Sequence, residues 1–161
     1  MVGAPQAAGG PERRLLELGI SLPPPPTPFG AYVEAIQCGS LLFLSGMLPV
    51  IGHEPKYTGR VGTELTLSEG YDAARVACLS GLAAAKSHLG TLEAIGRIAK
   101  LGVYISTAEH FQEHPKVADG ASELLRDIFG AEKIPPRVVL GVASLPLGMP
   151  VEIELIFEVA R

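Results

Sequence analysis

The chain has 161 residues, of which 47% are hydrophobic and 19% charged, and its formal net charge is −4. This length fits one domain with a well-packed core, and an acidic balance without a Lys/Arg cluster argues against a nucleic-acid-binding surface. No run of ~18 apolar residues occurs, so no membrane span is expected. The absence of a secretory signal pattern and two cysteines that suit reduced, buried thiols, Cys38 and Cys78, favour a cytoplasmic location.

The N-terminal residues, 1–25, are predicted to form an extension, and residues 26–161 are predicted to form the folded domain. Residues 12–18 have the length of about two helical turns, which Gly19 would end. Four consecutive prolines follow at positions 23–26, and they must be extended because each ring fixes φ and removes a hydrogen-bond donor. We interpret this run as a stiff spacer between the short helix and the domain.

The domain begins with two predicted strands, over residues 32–38 and 41–45. The dipeptide Gly39-Ser40 between them is a hairpin signal, because glycine adopts the positive φ that tight two-residue turns need. The following segment, residues 46–64, is rich in glycine and holds two prolines. It is therefore predicted to be a long loop.

A long amphipathic helix is predicted after this loop. Thr66 and Glu69, three positions apart, have the form of a capping box, in which each side chain accepts a hydrogen bond from the backbone N–H of the other. Apolar residues then recur at steps of three and four until Gly90, which ends the helix. Residues 97–106 are predicted to be a strand because the segment contains several β-branched and aromatic side chains.

Residues 109–129 are predicted to be helical in two pieces, because Pro115 should interrupt the helix. Two strands then flank a turn at residues 145–148, and in the second of them apolar residues alternate with polar ones from position 151 to 159. The resulting order, β-β-α-β-α-β-β, predicts an α/β fold of the two-layer α+β kind, with helices packed on one face of a mixed sheet.

Two charged residues at the starts of the last two strands are the first candidates for a site. Arg137 begins an otherwise apolar strand, and a guanidinium there either pairs with a structural carboxylate or awaits an anionic ligand. Glu152 begins the next strand, in an acidic row with Glu154 and Glu158. Such a row is either a solvated face of the strand or part of a site.

Further candidates lie near the first strands. Gly46 allows backbone N–H groups to approach a ligand closely, but Ser45-Gly46 could equally be a plain strand end. Tyr32 is either a core aromatic or a pocket hydroxyl. His110 and His114 are four apart, yet no third ligand follows in a zinc-site pattern, and no phosphate-binding loop occurs. We therefore predict no metal site.

Four sequence blocks, taken together, resemble the signature of a known family. They are Gly30-Ala31-Tyr32-Val33, Leu44-Ser45-Gly46-Met47-Leu48-Pro49, Pro136-Arg137 and Leu145-Pro146-x-Gly148-x-x-Val151-Glu152-Ile153-Glu154. In this order they are similar to the YjgF/RidA family of enamine and imine deaminases, also labelled endoribonuclease L-PSP-like, over roughly residues 26–161. The resemblance implies a chorismate-mutase-like fold and a homotrimer with ligand clefts between subunits.

The resemblance also implies an activity. Members of the family hydrolyse 2-imino or 2-enamino acids, such as 2-aminoacrylate, to 2-keto acids and ammonia without a metal or organic cofactor. By position, the catalytic residues would be Arg137, which binds the substrate carboxylate, and Glu152, which orients a water and moves protons at the imine carbon. The remaining substrate-binding positions would be Tyr32, Ser45, Gly46 and the main chain at Val139.

This chain also departs from the family pattern. Val138 and Val139 stand where small polar residues or cysteine are usual, and the second helical region, the loop at 46–64 and the N-terminal extension are longer. These features indicate a divergent branch. Two other functions therefore stand beside the deaminase: a non-catalytic trimer that binds a small carboxylate and, less favoured because of the acidic charge, an endoribonuclease. The expected partner is a small-molecule carboxylate, without nucleic acid or membrane.

Overall fold

The computed structural model describes residues 9–160 of the chain. Its helices are α1 (Pro11–Glu17), α2 (Leu67–Leu89) and α3 (His114–Phe129). Its strands are β1 (Ala35–Cys38), β2 (Leu41–Leu44), β3 (Val50–Ile51), β4 (Glu54–Pro55), β5 (Ile95–Ser106), β6 (Arg137–Val142) and β7 (Val151–Val159). None of the helices in this part of the chain is long and apolar enough to cross a membrane.

The main sheet places its strands in the order β1-β2-β7-β5-β6. Neighbouring strands are antiparallel except β5 and β6, which are parallel, so the predicted mixed sheet is confirmed. Helices α2 and α3 share one hydrophobic core with this sheet. On β7 the apolar residues that alternate with glutamates, such as Ile153 and Phe157, are fully buried in that core. The two-layer arrangement with helices on one face is therefore confirmed.

Helix α2 begins and ends as the sequence predicts. The Thr66 hydroxyl accepts a hydrogen bond from the Glu69 backbone N–H at 3.2 Å, and the Glu69 carboxylate accepts one from the Thr66 N–H at 2.7 Å. Gly90 ends the helix with a φ of 83°, a left-handed conformation that glycine adopts without strain. Because Gly81 lacks a side chain, the helix can lie close to Leu155 of the sheet.

Three features of the prediction were incomplete or wrong. Residues 109–129 do not form two helical pieces; the one helix there begins at His114. Pro115 lies in its first turn, where the missing N–H would have no partner in any case, so the proline starts the helix instead of interrupting it. The turn at 145–148 joins strands that are not neighbours, because β5 lies between β6 and β7. The predicted loop at 46–64 contains the small β3–β4 hairpin.

The N-terminal segment contacts the rest of the domain through α1. The Glu12 carboxylate accepts hydrogen bonds from the Thr91 hydroxyl at 2.9 Å and the Leu92 N–H at 3.0 Å, at the end of α2. The first eight residues of the predicted extension lie outside the described residues. Both cysteines are unpaired; Cys78 is buried as predicted, whereas Cys38 is exposed at the end of β1.

Candidate active site

A cavity of about 510 Å³ lies beside the start of β7. It brings together four of the residues that the sequence singled out, namely Tyr32, Ser45, Gly46 and Glu152. The remaining lining residues, which the sequence analysis did not assign to a site, are Phe29, Gly30, Leu48, Pro146 and Leu147. We call this cavity the Glu152 pocket.

Gly46 and Glu152 are brought together by a backbone bridge between the segment after β2 and the strand β7. The Met47 N–H donates to the Ile153 carbonyl at 2.7 Å, and the Ile153 N–H donates to the Met47 carbonyl at 2.8 Å. This pairing places Gly46 directly against the Glu152 carboxylate, so that a Cβ at position 46 would overlap with the carboxylate oxygen. Glycine thus lets the carboxylate occupy this position, because any larger residue would displace it, and the alternative of a plain strand end gives no such reason.

No positive charge in the part of the chain that the structure describes balances the Glu152 carboxylate. Burial raises the pKa of this carboxyl, and no hydrogen bond or ion pair within residues 9–160 offsets that effect. Glu154, two residues along β7, differs because it accepts a hydrogen bond from the Tyr104 hydroxyl at 2.9 Å and lies 3.5 Å from the Lys100 ammonium. Of these two glutamates, Glu152 is thus the one suited to exchange a proton.

Tyr32 and Ser45 hold the segment that forms one side of the pocket. The Phe29 N–H donates a hydrogen bond to the Tyr32 hydroxyl oxygen at 2.9 Å, and the Ser45 hydroxyl donates to the Val33 carbonyl at 2.6 Å. The Tyr32 ring is 44% exposed, so Tyr32 lines the pocket and is not a core aromatic. Its hydroxyl hydrogen is directed to no acceptor within residues 9–160 and can be donated to a ligand.

Arg137 lies at the edge of the sheet, against α3. One nitrogen of its guanidinium, Nη1, donates to the Asp119 carboxylate at 2.7 Å and to the Ser122 hydroxyl at 2.9 Å. The sequence pattern alone does not identify either partner, although residues three apart on a helix share a face. Both alternatives for Arg137 therefore apply: the cation pairs with a carboxylate, and its remaining N–H groups stay available, because a guanidinium has five donors.

Within one chain, Arg137 and Glu152 point to opposite faces of the sheet. Arg137 is in register with Leu101 of β5, which is fully buried on the helix-covered face. Glu152 is in register with Tyr104, three residues further along β5. Side chains alternate between faces along a strand, so residues at odd spacing lie on opposite sides. The structure thus separates Arg137 from the Glu152 pocket.

Val139 and His114 belong to the Arg137 side of the sheet. Val139 is partly buried and packs against the core, two residues after Arg137 on β6. The His114 ring lies over Gly141, where it packs edge-on against Phe111 with the ring centroids 5.2 Å apart. Among residues 9–160, no three His, Cys, Asp or Glu side chains are grouped as a metal site would require.

The chain matches the family described as "YjgF/chorismate mutase-like, putative endoribonuclease" over residues 12–159. Protein TCP17 of Trypanosoma cruzi is 37% identical over 153 residues, which cover 94% of this chain and 96% of that protein. A RutC family protein of Aquifex aeolicus is 30% identical over 138 residues, covering 85% and 95% of the two chains.

Solved structures agree with these sequence matches. A protein described as a "putative endoribonuclease" from Shewanella oneidensis is 34% identical and superposes with a TM-score of 0.90, covering 94% of this chain and all of that one. E. coli TdcF with bound serine is 25% identical, with a TM-score of 0.58 and coverages of 85% and 94%. From its sequence and its fold alike, the chain belongs to the YjgF/chorismate mutase-like family.

Proposed function

We propose that the protein is a cytoplasmic hydrolase that converts 2-imino acids, and the enamines that tautomerise to them, into 2-keto acids and ammonia. One molecule of water is consumed: its oxygen becomes the keto oxygen, its two protons pass to the nitrogen, and the C=N bond breaks. The observation that carries this proposal is the unbalanced carboxylate of Glu152, held against Gly46 in a pocket with the Tyr32 hydroxyl.

Glu152 has the properties that the proton transfers of this reaction need. A general base is most effective when its pKa lies near the working pH, and burial raises the pKa of this carboxyl toward that range. Glu152 removes a proton from water as the oxygen attacks the imine carbon, and it then returns a proton to the departing nitrogen. Because Gly46 has no Cβ, the Glu152 carboxylate can lie directly against its backbone.

Arg137 provides the complementary half of the site by binding the substrate carboxylate. Its Nη1 is engaged by Asp119 and Ser122, and the N–H groups on the other edge of the guanidinium can form a paired contact with a carboxylate. The related TdcF was crystallised with serine, itself a carboxylate-bearing molecule. This likeness supports carboxylate binding here.

We further propose that two copies of the chain complete each site in a homotrimer. Arg137 and Glu152 point to opposite faces of the sheet, so the two residues act on one substrate only if different subunits supply them. The face that carries Glu152 also exposes apolar side chains on β1, β2 and β6, which an assembly would cover. They are Ile36, Leu41, Phe43, Val138 and Leu140, with exposed fractions between 36% and 55%.

Subunit mixing tests the activity and the shared site together. The variants Arg137→Ala and Glu152→Gln are each expected to lose ammonia release from an imino acid that an amino-acid oxidase generates in situ. In a mixed trimer, some sites combine an intact arginine from one variant with an intact glutamate from the other, so mixing equal amounts should restore about a quarter of the wild-type rate.

The control is Arg126→Ala, since Arg126 is exposed on α3 and pairs only with its neighbour Asp127. Wild-type rates in either single variant would contradict the assigned roles. Inactive variants whose mixture stays inactive, although trimers form, would contradict the shared site.

A non-catalytic metabolite-binding trimer is the second candidate function. The partly buried Val139 beside Arg137 favours it, because an apolar side chain there supplies no polar group for the reaction. Calorimetric binding of a small 2-keto acid without turnover across a panel of imino acids would establish this function.

The endoribonuclease activity named in the family description is less favoured, because a net charge of −4 does not favour RNA binding. RNA that stays intact with purified protein would exclude this activity.

A further inference from the structure

The β3–β4 hairpin has no part in the proposed reaction, yet its tip holds one wall of the Glu152 pocket. The His53 ring at the tip meets the Phe29 ring edge-to-face, with centroids 5.2 Å apart and an interplanar angle of 88°. The same imidazole hydrogen-bonds to the Thr27 hydroxyl through Nε2. Because Phe29 lines the pocket, the hairpin tip fixes the segment that carries this aromatic wall.

The base of the hairpin supports other residues of the pocket lining. Val50 forms a small buried cluster with Leu48 and Met149, and the Ser80 hydroxyl of α2 donates to the Val50 carbonyl at 3.3 Å. Leu48 lines the pocket directly, and Met149 follows the short turn that carries Leu147. The hairpin therefore anchors both sides of the cavity to the body of the domain.

Leu147 is placed at the pocket in an unusual backbone conformation. With a φ of 56°, it is the one non-glycine residue in the described part of the chain with a positive φ. Its side chain is 60% exposed although it is apolar. A strained and exposed leucine at a cavity stabilises the free protein little, so a role in contacting a ligand accounts for it better.

We propose that the β3–β4 hairpin is the specificity element of this site, and that through Phe29 and Leu147 it selects substrates with a large apolar side chain. The inference rests on the proposed function and adds the substrate class. With the polar groups of the substrate at Glu152 and Arg137, its side chain lies against Phe29, Leu48 and Leu147. A compact side chain leaves these walls in water, and a polar one loses hydrogen bonds to water there.

A substrate panel tests this class directly. Amino-acid oxidases generate imino acids from leucine, from asparagine, which has nearly the same size but is polar, and from alanine, which is small. The wild-type protein should hydrolyse the leucine-derived imino acid with a kcat/KM at least about tenfold above the other two. Calorimetry with 4-methyl-2-oxopentanoate and pyruvate measures the same preference without turnover.

Variants assign the preference to the hairpin. Phe29→Ala should lower kcat/KM for the leucine-derived substrate about tenfold and change the alanine-derived value less than about twofold. His53→Ala should shift the same ratio in the same direction by raising KM while kcat stays constant, because His53 positions Phe29 and does not touch the reacting atoms. His88→Ala, an exposed histidine at the end of α2, is the matched control.

The outcomes separate this inference from the proposed function. Turnover without a preference for the leucine-derived substrate, or a preference that Phe29→Ala leaves unchanged, overturns the inference and leaves the deaminase intact. Neither turnover nor binding with any member of the panel overturns the proposed function and the inference with it.

Discussion

The two charged residues of the proposed site occupy opposite electrostatic settings, although both lie at the starts of strands of one sheet. Arg137 is on the helix-covered face, where Asp119 at 2.7 Å balances its charge and Ser122 at 2.9 Å accepts a second hydrogen bond from the same nitrogen. Glu152 is on the other face, where burial raises its pKa and no cation within residues 9–160 lowers it. The charge of Arg137 is thus held by Asp119 and Ser122, whereas the charge of Glu152 is left unbalanced.

This difference matches the two tasks that the proposed reaction assigns. A residue that binds a carboxylate benefits from a fixed orientation, because less conformational entropy is then lost when the ligand arrives. A residue that exchanges protons benefits from a raised pKa, which strong donors or cations would lower again. The two halves of the site should therefore respond differently to substitution: the glutamate half in kcat, and the arginine half in KM.

The largest effect is expected from Gly46→Ala. The added Cβ would overlap with the Glu152 carboxylate, so the carboxylate must move or the segment after β2 must shift. We expect kcat to fall about a hundredfold or more, the range that loss of a general base produces, while the protein stays folded. Steady-state kinetics and circular dichroism measure the two quantities.

Gly39→Ala is the matched control. Gly39 has a φ of 61° in the turn between β1 and β2, with open space around it, so alanine there should cost about 1–2 kcal/mol of unfolding free energy and leave kcat unchanged. An active Gly46→Ala variant would show that the carboxylate's position against residue 46 is not needed for the reaction.

A smaller effect, in KM, is expected from Asp119→Ala. Without Asp119 the guanidinium of Arg137 keeps only Ser122 as a partner and can rotate away from the substrate. We expect KM to rise about tenfold with kcat nearly unchanged, the loss that a charge-assisted hydrogen bond of ~1.4 kcal/mol would cause. Asp119→Asn keeps the accepting oxygen and should stay within about twofold of the wild type.

Asp127→Ala is the control on the same helix, since the Asp127 carboxylate pairs with Arg126 at the surface. Equal losses in Asp119→Ala and Asp119→Asn would show that the charge of Asp119, and not its hydrogen bond, sets the affinity. A change in kcat alone would contradict the division of tasks between the two halves.

The sequence anticipated which residues surround Glu152 better than it anticipated the partners of Arg137. Gly46, Tyr32 and Glu152 lie within or beside recognisable blocks, and the backbone bridge between Met47 and Ile153 joins Gly46 to Glu152 in the structure. The family resemblance, and not spacing alone, identified these blocks.

The partners of Arg137 could not be predicted in the same way. Asp119 lies in the segment where Pro115 was expected to interrupt a helix, so the face that it shares with Ser122 was not apparent. The order of the strands was also hidden, because nothing in the pattern of β6 and β7 shows that β5 lies between them. Pairing across a sheet depends on contacts between distant residues, which local periodicity does not encode.

The smallest effect is expected in the pH dependence of stability, and it tests why the glutamate half is unbalanced. Because burial raises the pKa of Glu152 above the value of 4.5 for an unperturbed carboxyl, the folded protein binds this proton more tightly than the unfolded chain does. The ionised group therefore destabilises the fold above its folded pKa, and this penalty disappears as the pH falls toward 4.5. Glu152→Gln should unfold at a higher temperature than the wild type at pH 7, by no more than about 4 °C.

The melting temperatures of the wild type and Glu152→Gln should then converge near pH 4. At that pH the Glu152 carboxyl is mostly protonated and therefore neutral, as the glutamine is. Glu158→Gln is the control, because Glu158 lies 3.4 Å from the Arg97 guanidinium at the surface and its loss relieves no burial. A Glu152→Gln variant that is less stable than the wild type at pH 7 would contradict the prediction. Since no cation in the described part of the chain balances Glu152, that sign would mean that the arginine of a neighbouring copy does so in the assembly.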